Sequence, residues 1–418
     1  MPDFLNEAQS LFEYTQALRR DLHMHPELGF HEVRTAGIVA KELNALDMEV
    51  TTGVAKTGVV GLLGGGKLAR PPSRADALAG RTAGSAGLAE GPVVLVRFDM
   101  DALPVTEQTG AAYASTNPGK MHACGHDGHT AIGLTVAKML HAHRTQLAGT
   151  VKFVFQPAEE GTCGEEIGGN EMMIRAGVLE NPAPDLALSL HLWNEKPLGW
   201  VHMAAGPVMA GAEEFKITVT GKGGHAAIPH QTVDPVLAAS QIVTALQSIT
   251  SRNVAPLQAA VVSVTMIHGG ETFNVIPPEV KMEGTIRTFE LSVRESVLRR
   301  FAEIVYGVAE AMGCAAEIKV KRVTPAMIND ERIAQRVQAS VRSTLPEAVL
   351  DTSGHLTMGA EDMAFMLEKV PGCYFFVGSA NAEQGLNYGH HHPKFDFDEA
   401  ALPRAAALMA SAVMEFLK

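Results

Sequence analysis

The stretch Val93-Val94-Leu95-Val96-Arg97-Phe98-Asp99-Met100-Asp101-Ala102-Leu103-Pro104 decides the architecture. From Val93 to Phe98 it is apolar except for Arg97, with no alternation, and it closes on two aspartates and a proline. A strand apolar on both sides belongs in a sheet covered on both faces, the setting of parallel strands. Thr150 to Phe155 repeats the pattern and is stopped by Pro157. Asp185 to Leu190 repeats it again and ends at His191-Leu192-Trp193. Between these runs, Thr130 to His143 carries Ile132, Val136, Met139 and Leu140 at helical spacing. Strands alternating with helices predict an α/β fold with a large, mostly parallel sheet flanked by helices.

Upstream, Phe4 to Asp47 reads as two helices. Leu11, Tyr14, Leu18 and Leu22 form one apolar stripe, and Ala36, Val39, Ala40 and Leu43 another. His25-Pro26-Glu27-Leu28-Gly29 breaks them apart. Met48 to Val50 and Gly58 to Leu63 are the first strands. Gly64 to Gly91 is rich in Gly, Ala, Arg and Pro and reads as a surface loop. Its Gly64-Gly65-Gly66-Lys67 lacks the spacing of a nucleotide fingerprint.

Downstream, the period changes near Ala210. Glu214 to Thr220 alternates as a half-exposed strand does. Val233 to Ile249 is a helix begun by Asp234-Pro235. Strands follow at Ala259 to Ile267 and Val280 to Thr288, then a helix at Leu291 to Met312 and a strand at Cys314 to Val320. That order is the split βαβ plan. From Ala334 the first pattern resumes, with the strand Tyr374 to Val377 and a last helix from Glu399 to Leu417. Residues 1–209 and 322–418 are thus expected to form one large α/β domain. Residues 210–321 are expected as an inserted, ferredoxin-like α+β domain.

The bulk composition narrows the function. A chain of 418 residues exceeds one ordinary core. It has 34 basic and 46 acidic residues, a net charge of −12 and no Lys/Arg-rich run, which argues against nucleic acid and anionic membranes as partners. Met1 to Arg20 lacks the apolar core of a signal peptide. No stretch reaches the ~18 continuous apolar residues of a membrane span. Cys124, Cys163, Cys314 and Cys373 show no framework spacing, so free thiols in the cytoplasm are expected.

The chemistry gathers after the strands, where ligands bind in open α/β sheets. Met121-His122-Ala123-Cys124-Gly125-His126-Asp127-Gly128-His129-Thr130 packs a thiol, several imidazoles and a carboxylate into one Gly-broken turn. Asp99 and Asp101 follow one strand, Glu159 and Glu160 another, His191 ends a third, and Gly389-His390-His391-His392-Pro393 lies after the last. Thiolate and imidazole suit zinc and its neighbours, and carboxylate completes a hydrolytic site. Such a set exceeds one tetrahedral ion and suits two sharing a water that attacks a carbonyl. Of the adjacent pair Glu159-Glu160, one can ligate and the other can take the water's proton. Asp99 and Asp101 could ligate too, but orienting a ligand histidine suits them better. Asp127 could simply cap the helix that follows.

These stretches resemble the amidohydrolase branch of the M20 metallopeptidases, the hippurate hydrolase and N-acyl-amino-acid amidohydrolase group. The resemblance is carried by Arg19 to Gly29, Asp99 to Pro104, Ala123 to Asp127 and Gln156 to Glu160. It continues through Gly221-Lys222-Gly223-Gly224-His225-Ala226, Phe273-Asn274-Val275-Ile276-Pro277, Gly284 to Thr288, Gly359 to Asp362 and His391-His392-Pro393. It implies that Cys124, His126, Glu160, His191 and His391 ligate two divalent ions (Zn, Mn, Co or Ni) and that Glu159 is the general base. It implies a lid and dimerisation role for the inserted domain in a homodimer or higher homo-oligomer. There His225 stabilises the oxyanion in the partner's site, while Asn274 and Arg287 hold the substrate's carbonyl and carboxylate. A guanidinium fork matches a carboxylate independently of any family.

Two positions depart from the family: His392 stands where Asn is frequent, and the Gly64 to Gly91 loop is long. Three consecutive histidines leave the ligand open, with His391 preferred. The substrate implied is a small N-acyl amino acid, hippurate-like. A dipeptide exopeptidase and a metal-bound binding protein without turnover are the rival readings.

Overall fold

The computed structural model describes residues 2–66, 91–354 and 357–418. The Gly-rich stretch expected as a surface loop lies, from residue 67 to 90, outside the described residues. The chain divides into two compact units. One comprises Met1–Gly206, Ile328–Gly354 and Phe365–Lys418, and the other Pro207–Met327 with His355–Ala364.

The first unit is built on an eight-stranded sheet. Its order is Glu49–Val54, Gly58–Gly64, Thr150–Gln156, Val93–Asp99, Leu186–Pro197, Gly372–Ala380, Trp200–His202 and Val349–Asp351. The four central strands run parallel. The pairs on the Glu49–Val54 side are antiparallel, as is the pairing of Gly372–Ala380 with Trp200–His202. The sheet is therefore mixed, with the parallel character confined mainly to the centre. Every residue of Val93–Asp99 and Thr150–Gln156 is buried, as expected where both faces are covered.

Arg97, the exception in the deciding run, is fully buried. Its guanidinium donates to Gln156 Oε1 at 2.8 Å and to Asp99 Oδ2 at 2.6 Å. A buried charge without such partners would be strongly destabilising. Helix His126–Ala142 packs on the central strands through Gly133, where an added Cβ would lie 2.6 Å from Phe98 and 2.8 Å from Phe155. The last helix, Ala401–Leu417, is buried along most of its length and joins the same core.

Two local expectations change. The strand through His191 runs from Leu186 to Pro197, so His191 lies inside it rather than at its end. Pairing with Gly372–Ala380 as far as Pro197 sustains the extension. The N-terminal segment forms three helices, Phe4–Ser10, Phe12–Met24 and Val33–Asn44.

The second unit is an antiparallel sheet ordered Ala260–His268, Glu279–Thr288, Gly211–Thr220 and Ala315–Thr324. Helices Pro235–Ser248 and Leu291–Ala311 share its core. The first opens with Pro235, and Asp234 accepts from the Val236 amide at 2.8 Å, a regular N-terminal cap. The expected boundaries at 210 and 321 placed residues 357–364 in the large domain; the structure groups them with the second unit. There the Ala210 amide donates to the carbonyls of Thr357 and Gly359 at 3.3 and 3.2 Å. Among the described residues, no helix is long and apolar enough to cross a membrane.

Candidate metal centre

The turn that begins the helix His126–Ala142 sets the centre. Gly125 is its N-cap, at φ 95°, a left-handed conformation that glycine adopts without a Cβ penalty. Cys124 and His126 therefore flank a sharp corner. The loop carrying His391 is tied to the same corner, since the His391 amide donates to the Ala123 carbonyl at 2.7 Å. His391 itself sits at φ 67°. A non-glycine residue held there stores on the order of 1–3 kcal/mol, a cost that concentrates at functional sites.

The donor atoms converge. Cys124 Sγ lies 3.4 Å from His191 Nε2. His391 Nε2 lies 3.3 Å from Glu160 Oε1. His126 Nε2 is 3.9 Å from Glu160 Oε1 and 4.0 Å from Glu159 Oε2. The ligand atoms of Cys124, His126 and His191 lie within 4.8 Å of one another, and so do those of Cys124, Glu160 and His391. Cys124 belongs to both triads. His126 Nε2 is buried without a hydrogen-bond partner, and buried Glu160 Oε1 has the His391 Nε2 ion-pair contact but no regular hydrogen bond. Buried polar atoms are almost always satisfied, and a cation between these two would satisfy both.

Surrounding groups fix which nitrogen faces inward. His126 Nδ1 donates to the Asp101 carbonyl at 2.9 Å, with Asp101 Oδ1 at 3.2 Å. His191 Nδ1 donates to the Leu192 carbonyl at 2.6 Å. Both rings thus present Nε2 to the centre, the arrangement that outer partners impose on ligating histidines. Asp101 Oδ2 also accepts from the Glu160 amide at 3.0 Å. Asp99 Oδ1 accepts from His129 Nδ1 at 2.7 Å.

The electrostatics call for positive charge. Burial, then the Glu160, Glu159 and Asp99 carboxylates, push the Cys124 thiol well above its ordinary range. Without a cation it stays protonated. Burial opposes the His126 imidazolium, but Asp99 and Asp101 outweigh it and raise the group to about 10. A proton there takes the place of the charge the cluster needs. Burial and the neighbouring His129 and His390 hold His191 well below its usual value, in the neutral form that ligates. The Glu160 carboxylate raises His391.

Of the three consecutive histidines, His391 alone faces Glu160. His390 Nε2 donates to the Leu192 carbonyl at 3.0 Å. His392 stacks on Tyr388 with centroids 4.6 Å apart.

The second unit carries the other expected residues. His225 pairs opposite Val275, and the Ala226 amide donates to the Asn274 carbonyl at 3.1 Å. His225 and Asn274 are therefore neighbours, and both are exposed. Arg287 is half-buried near the far end of Glu279–Thr288, bonded to Thr285 Oγ1 and the Ile286 carbonyl. The structure brings the first two together and leaves Arg287 apart.

Sequence reasoning missed His129, whose ring centroid lies 4.5 Å from that of His191. The available signal was its place three residues after His126, on the same helix face. It also left Asp127 as a possible cap. Asp127 instead accepts from Arg19 Nε at 2.9 Å and His23 Nδ1 at 2.8 Å. Burial opposes its ionisation, yet these two partners hold it well below the carboxylate range.

Comparison with known proteins is decisive about kinship. Residues 95–415 match the model of peptidase family M20/M25/M40. The chain belongs to that family. Its members are metal-dependent hydrolases of amide bonds, and so is this chain. It is 36% identical over 405 residues to an N-acetylcysteine deacetylase of Bacillus subtilis, covering 96% of this chain and 97% of that protein. It is 36% identical over 417 residues to IAA-amino acid hydrolase ILR1-like 4 of Arabidopsis thaliana, covering 99% and 88%. Among solved structures it is similar to YXEP of Bacillus subtilis, described as a dinuclear metal-binding peptidase of the M20 family. The TM-score is 0.81 with 32% identity, covering 98% of this chain and 99% of that one.

Proposed function

We propose that this M20 enzyme hydrolyses the amide bond of small N-acyl amino acids, with hippurate-like compounds as first candidates. Cys124, His126, His191, Glu160 and His391 would hold two divalent ions, of zinc, manganese, cobalt or nickel. The observation that carries this reading is the pair of donor triads sharing Cys124, with His126 Nε2 buried and without a hydrogen-bond partner among them. When bound, the ions supply Lewis acidity for the carbonyl and an ionised water as nucleophile. Glu159, with an oxygen 4.0 Å from His126 Nε2, would be the group that accepts the proton the attacking water gives up and returns it to the departing amine. Asp101 holds His126 and the Glu160 amide in register, and Asp99 fixes His129.

Residues of the second unit complete the proposal. His225 is assigned to the oxyanion in the partner's site of a cytoplasmic homodimer, and Asn274 and Arg287 to the substrate's carbonyl and carboxylate. The exposure of His225 and Asn274 supports a role outside their own unit's core. The N-acetylcysteine and IAA-amino acid substrates named for the two relatives support the N-acyl amino acid class.

The test is amine release from hippurate, N-acetyl amino acids and free dipeptides by protein loaded with each divalent metal. The proposal expects faster cleavage of the acylated compounds. Faster cleavage of free dipeptides would make it an exopeptidase, and no turnover with any metal would make it a binding protein.

A further inference from the structure

The N-terminal run His25-Pro26-Glu27-Leu28-Gly29-Phe30-His31-Glu32 lies far in sequence from Cys124, Glu159 and the other proposed site residues. In space it touches Ala158, the residue before Glu159 and Glu160. The Ala102 amide donates to the Glu27 carbonyl at 2.8 Å, and Leu28 bridges Ala102 in parallel. The run therefore lies alongside the Asp99 to Pro104 segment. Glu27 uses its own carboxylate locally, accepting from the Arg34 and Thr35 amides at 3.0 and 2.9 Å to start the next helix.

Glu32 does something else. It is fully buried, and its Oε1 accepts from the Ala158 amide at 2.8 Å, across 126 residues of chain. Its Oε2 accepts from Thr57 Oγ1 at 2.5 Å. Ala158 is at φ 48°, a left-handed conformation unusual for a residue with a Cβ. Its carbonyl accepts from the Gly169 amide at 3.0 Å. Gly29 lies against it, so that a Cβ on Gly29 would fall 2.8 Å from Ala158 Cβ and 2.9 Å from its Cα. Ala158 is thus gripped on its amide, its carbonyl and its side chain. The residue that follows is Glu159, so the twist at Ala158 sets where that carboxylate points.

We infer that Glu32 is a positioning residue for catalysis: by holding the Ala158 amide over Gly29 it imposes the left-handed turn that aims Glu159 at the centre. Asp101 holds the Glu160 amide of the same turn, so two buried carboxylates suspend it by its N–H groups. This rests on the reading of Glu159 as the base. Misplacement of a reacting group by on the order of 1 Å costs about 10²-fold in rate.

The experiment compares wild type, Glu32→Ala, Glu32→Gln and Gly29→Ala, all loaded with the metal that best supports turnover. Steady-state kinetics, metal content and hydrogen–deuterium exchange of the peptide spanning residues 157–160 are measured together. Glu32→Ala is expected to lose about 10²-fold in kcat with KM and metal content unchanged, and to exchange the Ala158 amide faster. Glu32→Gln, whose amide oxygen can still accept, is expected to restore both. Gly29→Ala is expected to follow Glu32→Ala, and carries the test if Glu32→Ala does not fold. Wild-type kcat and wild-type exchange in Glu32→Ala would overturn the inference, as would a loss that tracks metal content or that Glu32→Gln shares in full. If wild type releases no amine from any substrate, the hydrolase reading fails by itself, and the exchange data still decide whether Glu32 holds the turn.

Discussion

The two units present their chemistry in opposite ways. In the first, His126 and His191 are buried, each ring is fixed through Nδ1, and the donor atoms of each triad lie within 4.8 Å of one another. In the second, His225 and Asn274 are exposed, and among the described hydrogen bonds the His225 ring meets only the Ala227 amide, through Nδ1 at 3.1 Å. The first arrangement is preorganised, and the second leaves its proposed site residues exposed. Preorganised groups set the chemistry, whereas exposed groups contribute only when a substrate or another subunit arrives.

This contrast can be broken by experiment. The largest effect is expected from chelation: stripped protein should lose turnover altogether and melt at a lower temperature, because ions that bind only the folded state stabilise it. Calorimetry with and without added metal reads this, and an unchanged melting temperature would count against ions in the first unit. Next, Glu159→Ala should keep both ions and lose about 10³-fold in kcat, within the range for general-base loss. Metal analysis beside steady-state kinetics checks it, and normal turnover would remove Glu159 from its role.

His225→Ala should lower kcat by roughly 10²-fold, as for an oxyanion donor, with stability within about 0.5 kcal/mol of wild type, as for other exposed substitutions. Mixing His225→Ala subunits with Glu159→Ala subunits should recover activity if the histidine serves its partner. No recovery would confine it to its own chain.

The smallest effect on turnover is expected from Asp127→Asn, which tests the first unit's buried framework. Arg19 and His23 outweigh burial and depress the Asp127 pKa. A depressed carboxylate stabilises the fold above its unfolded value of about 4, and that stability is lost as pH falls. The variant should lose about 3–5 kcal/mol at neutral pH, the range for breaking a buried pair, and show a shallower decline below pH 4 or so. Denaturant titrations across pH measure both. A decline as steep as that of wild type would assign the acid sensitivity elsewhere.

Much of this was legible beforehand. The run Val93 to Phe98 announced a strand covered on both faces, because burial on two sides leaves no polar face to alternate. The switch to alternation at Glu214 announced a sheet with one open face, because pleating sends successive side chains to opposite sides. The Gly-broken turn at Cys124 and the paired glutamates announced chemistry through residue type and position. Less legible were His129, the Arg19–Asp127–His23 cluster and Glu32, each of which acts through a contact more than a hundred residues away or across a packed face. Periodicity reports which face is buried, not which group meets it there.

The amino-acid order by itself determined the alternation of elements, the inserted split βαβ unit and the inventory of donors, since these depend on local period and side-chain chemistry. Tertiary structure alone decided that His391 faces Glu160 while His390 and His392 turn elsewhere, that the His126 and His191 rings turn Nε2 inward, and that Glu32 lies on the Ala158 amide. Those outcomes depend on distances between segments far apart in the chain, and such distances exist only once the core has packed.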